Sequence, residues 1–93
     1  MKENIINAIC EILENINKVV IPIKQKNATR TCRAYFLSKA GKDLSILRHD
    51  YIDGKISDSE IIRFMLYEYT KHFAVIDEDD ENIKIIRNLE NQI

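Results

Sequence analysis

The chain predicts an all-α fold: a small bundle of four helices, or five where the second divides, in a single domain over residues 1–93. Three observations carry this. Apolar residues recur at three- and four-residue steps along most of the chain, the spacing of one buried helical face. Only two Gly and one Pro are present, too few turn-formers for a many-stranded sheet. The composition is 45% apolar and 31% charged, which is globular, and 93 residues leave room for one core.

The sharpest boundary lies at Ser57. Ser57 and Glu60 stand in the S-x-x-E spacing of a capping box, and Ile56 and Ile61 hold the positions of a hydrophobic staple. Behind them Ile61, Ile62, Met65, Leu66, Tyr69 and Phe73 keep helical steps, while Phe64 and Tyr67 widen the apolar arc. So broad an arc suits a central helix surrounded by others, or one whose extra aromatics face a partner.

Before it, Asn4 suits the N-cap of a first helix with Ile5, Ile9, Ile12, Leu13, Ile16, Val19 and Val20 on one face. Pro22 should end that helix, although the β-branched run Val19–Ile23 also fits a short edge strand. Asn27 or Thr29 can cap a second helix. Its apolar positions Cys32, Phe36, Ala40, Leu44, Leu47 and Tyr51 step slightly wide of 3.6 residues, so the seam drifts. Gly41 lies inside the drift, as a weak point in one helix or a break between two, and Asp53-Gly54 stops the segment. Residues 72–76 read as a helix end or an extended piece. Asp77 to Glu81 form an acidic first turn for a last helix carrying Ile83, Ile86 and Leu89, a placement the helix dipole favours, in preference to a disordered tract.

Chemistry-bearing motifs are sparse. His49 and His72 fall on different predicted helices without metal-ligand spacing, Ser57 already has a capping role, and two isolated glycines cannot cradle a nucleotide. The reading is therefore non-enzymatic, with no catalytic residue, metal or cofactor. Cys10 and Cys32 sit where a helical core takes small apolar side chains, so buried free thiols are expected, and no secretory signal opens the chain. Both point to a reducing cytoplasm. No apolar run is long enough to span a membrane.

Charge is the remaining signal. The net charge is -1, yet Lys18 to Lys55 hold nine bases against three acids, and residues 76–93 hold six acids against two bases. Lys26, Arg30 and Arg33 follow at helical steps on one face; with Lys24 they form a candidate partner-binding patch for an acidic protein surface or for phosphates. The near-neutral charge, and the assignment of Tyr35 and Phe36 to the core, weigh against nucleic acid. In length and in its string of amphipathic helices the chain resembles the small helical immunity and inhibitor proteins that protect bacteria or phages by binding one target. The expected function is thus binding of a protein partner, as inhibitor, immunity factor or regulatory subunit. A nucleic-acid-associated subunit using Lys24 to Arg33 is the alternative, and a homodimer is open to the same charge layout.

Overall fold

A computed structural model describes residues 1–25 and 32–93, with the side chains of residues 21–33 outside the description. Four helices follow one another: α1 (Lys2–Gln25), α2 (Cys32–Ile52), α3 (Asp58–Thr70) and α4 (Glu81–Asn91). No strand occurs among the described residues.

α1 forms because Ile5, Ile9, Ile12 and Ile16 repeat at steps of four, three and four, and all are buried. Two expectations fail here. The helix starts before Asn4, whose amide instead donates to Gln92 Oε1 at 3.4 Å on the last turn of the chain. It also passes Pro22 and ends at Gln25, so the edge-strand alternative is not adopted. A proline ring holds φ near the helical value, and at the last turn it removes only one backbone bond. That loss is too small to end a helix already committed by packing.

α2 is one helix through Gly41, as the single-helix reading requires; a fifth helix is not seen. Its core stripe differs from the expected one. Leu37 is buried and Phe36 is only partly so. With Ala34, Leu37, Ala40, Leu44 and Tyr51 inside, the steps fall close to the helical repeat and the drift disappears. At Gly41 a Cβ would lie 3.6 Å from Ile16 Cγ2, so α1 and α2 approach closely at that turn. The helix stops at Gly54, which takes a left-handed φ of 78° while Lys55 N–H donates to Asp50 O at 2.9 Å.

α3 opens on the expected capping box: Ser57 Oγ accepts from Glu60 N–H at 3.3 Å, and Glu60 Oε1 accepts from Ser57 N–H at 3.1 Å. The central-helix expectation is corrected. Only Ile61, Ile62, Met65 and Tyr69 of α3 are buried, an ordinary stripe, whereas Phe64 and Tyr67 face water. The longer α1 supplies the largest share of the core. α1 and α3 each contact every other helix, and α2 and α4 flank them without touching one another among the described residues.

The acidic run before α4 is an ordered entry. Asp80 is the N-cap, its carboxylate accepting from Asn82 N–H at 2.7 Å and Ile83 N–H at 3.4 Å. Glu78 accepts from Arg87 Nη2 at 2.8 Å, which depresses its carboxyl below the usual range. Ile83, Ile86 and Leu89 then close the core, as expected.

Candidate interaction surface

Two places concentrate polar or aromatic groups. The first is a cleft of about 370 Å³ lined in part by Asn15, Lys18, Tyr69, Asp77, Asp80 and Asn82. A chain of hydrogen bonds crosses its floor. Asn15 Nδ2 donates to Asn82 Oδ1 at 2.9 Å, Asn82 Nδ2 donates to the Tyr69 hydroxyl at 3.0 Å, and that hydroxyl donates to Asp80 Oδ2 at 2.9 Å. The chain joins α1, α3 and α4. Among the described residues no buried side-chain oxygen or nitrogen lacks a partner, so these groups pin the helices and leave nothing aimed at a ligand. Nor do three His, Cys, Asp or Glu side chains converge there on a metal-sized site, among the described residues.

The second place is an aromatic strip on the outside of α2 and the end of α3. Tyr35 is 55% exposed and meets Phe36 edge-on, with centroids 5.6 Å apart. Phe36 stacks on His72 at 4.8 Å with the rings 10° from parallel. Next to His72, Lys71 Nζ stands 5.8 Å above the ring of Tyr67, itself 61% exposed. At the other end Lys39 Nζ stands 5.1 Å above the ring of Tyr35. The strip thus sets an ammonium over a tyrosine ring at each end, an arrangement favoured by the negative faces of the rings.

Its electrostatics are anchored by one lysine. Lys71 Nζ lies 2.6 Å from Glu68 Oε2 and 3.0 Å from Asp43 Oδ2, and the pair of carboxylates, Glu68 foremost, raises its pKa well above the ordinary lysine value. The Lys71 hydrogen bond in turn lowers the Asp43 carboxyl. This bridge fixes α3 against α2; Lys39 forms no ion pair among the described residues, but its charge also helps lower the Asp43 carboxyl.

Of the residues predicted from sequence, Lys24 lies on the last turn of α1 and Arg33 on the first turn of α2, with side chains outside the described residues. Lys26 and Arg30 lie wholly outside them. The segment Lys24–Arg33 runs directly into Tyr35 along the chain, so it adjoins the aromatic strip in sequence. Both histidines are exposed, His72 on Phe36, and Ser57 is engaged in its cap. Cys10 is a free thiol, half-buried instead of buried, with its Sγ accepting from Arg48 Nη1 at 3.3 Å; Cys32 lies outside the described side chains.

Sequence reasoning missed the α2 part of the strip because it assigned Tyr35 and Phe36 to the core, while a partner-facing Tyr67 stood as the alternative to a central helix. The signal was present. Tyr67 stands half a turn from both Met65 and Tyr69, so the face that buries those two turns Tyr67 outward. No helix among the described residues is long and apolar enough to cross a membrane. Comparison with protein-family models, with curated proteins and with solved structures finds no match.

Proposed function

We propose that the protein acts by binding another protein, as an inhibitor, immunity factor or regulatory subunit, through the aromatic strip and the adjoining basic segment Lys24, Lys26, Arg30 and Arg33. One observation carries the reading: Tyr35 and Tyr67 are held in water by the helices that bury Leu37 and Tyr69. Tyrosines that could have joined the core and instead stand beside lysines match the composition of protein-binding hot spots, where rigid amphipathic rings give contact area at little entropic cost. The basic segment supplies long-range attraction to an acidic partner. The free Cys10 thiol fits a reducing cytoplasm as the place of action.

The test is affinity purification from the native host with the whole chain and with a Tyr35→Ala/Tyr67→Ala variant. A stoichiometric partner that is retained by the first and lost by the second supports the reading. Equal recovery by both sinks it.

A nucleic-acid role has one observation in its favour, since Tyr35 is exposed beneath an ammonium and not in the core. Against it, Asp43 and Glu68 place two carboxylates within the strip, where phosphates would be repelled. Binding to generic DNA and RNA, falling steeply with salt and weakened by Arg30→Ala and Arg33→Ala, would favour this second role over the first.

A further inference from the structure

The outer face of α2, from Lys39 at the end of the aromatic strip onward, carries an ordered charge pattern. Ile46 is 57% exposed at its middle. Lysines stand seven and four residues before it, at Lys39 and Lys42; aspartates stand four and seven residues after it, at Asp50 and Asp53. Steps of three and four keep all five on one face of the helix. Asp53 follows directly on Ile52 and its N–H donates to His49 O at 3.0 Å, so it continues the same turn. None of these four charged side chains has an ion pair among the described residues.

We propose that this face is a homodimer interface, in which a second copy lays its α2 antiparallel on the first about a two-fold axis at Ile46. The sequence is charge-palindromic about that residue. An antiparallel pairing centred there sets Lys39 and Lys42 of each copy against Asp50 and Asp53 of the other, and brings the two Ile46 side chains together on the axis. A parallel pairing would set lysine on lysine and aspartate on aspartate. Each charge block spans about 5 Å along the helix and begins about 6 Å from the axis, at a rise of 1.5 Å per residue, so the blocks meet without a shift in register. The contact is isologous and closes at two copies.

Exposed ion pairs contribute little each, and here they set direction and register. Burial of Ile46 supplies attraction. Phe36 and His72 lie beyond Lys39, so each copy keeps that part of its strip at the rim of the pair, and the dimer does not depend on the partner-binding role.

The experiment measures mass in solution by sedimentation over a range of concentration at low salt, on the whole chain. The wild-type protein is expected to approach twice 10.9 kDa. Two block variants are expected to run as monomers, with dimer affinity reduced by about tenfold or more: Lys39→Glu/Lys42→Glu, which leaves only acids on the face, and Asp50→Lys/Asp53→Lys, which leaves only bases. Their equimolar mixture is expected to recover the doubled mass as a heterodimer. Ile46→Asp, which places like charges together at the axis, is expected to be monomeric with unchanged helical circular dichroism, and it serves as the readout should a block variant fail to fold. A wild-type chain that stays monomeric at every concentration overturns the proposal. So do block variants or Ile46→Asp that dimerise as well as the wild type, and a mixture of folded block variants that stays monomeric.

Discussion

A methyl group on Gly41 would meet Ile16 Cγ2 at 3.6 Å and Leu13 Cδ2 at 3.9 Å, both ordinary contact distances. Glycine in mid-helix costs about 1 kcal/mol relative to alanine through the entropy of the unfolded chain. Gly41→Ala is therefore expected to raise stability by up to about 1 kcal/mol in chemical denaturation. A loss would show that α1 and α2 need the closer approach. Gly54 is the opposite case, since its φ of 78° strains any side chain. Tyr51 gives a test in pH. Burial, helped by its hydrogen bond to Asp58, pushes its phenol up to about 12 from the ordinary 10.0. The fold favours the neutral phenol, so this stabilisation is whole below pH 10 and is lost as pH rises from 10 to 12. The denaturation midpoint of the wild type is expected to fall more steeply over that interval than the midpoint of Tyr51→Phe. At this scale the sequence was least legible. The choice between Phe36 and its neighbour Leu37 turns on one helical step of about 100°, and a drifting apolar pattern admits both.

Helices and their ends were far easier to read. The capping box at Ser57 and the stop at Gly54 depend on contacts within a few residues, so local sequence contains all that determines them. Pro22 misled for the complementary reason. Its local preference for an end is not realised, since α1 runs on to Gln25 behind a stretch of buried residues from Ile5 to Val20 that a short window around Pro22 does not contain. The acidic stretch before α4 was half legible. Its place at a helix start followed from the dipole, but the division of labour did not: Asp80 caps, Glu78 holds Arg87, and Asp77 Oδ1 accepts from Asp79 N–H at 2.9 Å. Asp80→Ala is expected to cost about 1–2 kcal/mol, since an N-cap and an acceptor for the Tyr69 hydroxyl go together. Asp79→Ala, at an exposed neighbour, should stay within about 0.5 kcal/mol. Thermal or chemical unfolding of the pair separates a cap from mere negative charge; equal losses would contradict the assignment.

Across the whole molecule, burial and exposure divide the same residue types between two jobs. Isoleucines and leucines from all four helices shield one another, and the network of Asn15, Asn82, Tyr69 and Asp80 fixes how three helices meet. What the core leaves outside is a set of rings, lysines and aspartates ordered along α2 and α3. The bundle class was legible because it needs only periodicity. The outer surface was legible only in part: the two-residue steps from Met65 to Tyr67 to Tyr69 turn Tyr67 outward, whereas the drifting apolar pattern of α2 admits Phe36 and Leu37 alike. The central claim is that the exposed tyrosine rings of this outer set are free of any duty to the fold. Tyr67 and Tyr69 test it most directly, being the same side chain on the same helix, 61% and 3% exposed. In chemical denaturation Tyr69→Ala is expected to cost about 3–5 kcal/mol, while Tyr67→Ala costs under about 1 kcal/mol, the worth of one exposed ring–ammonium contact. Comparable losses for the two would contradict the account, since the outer rings would then be part of what holds the bundle together.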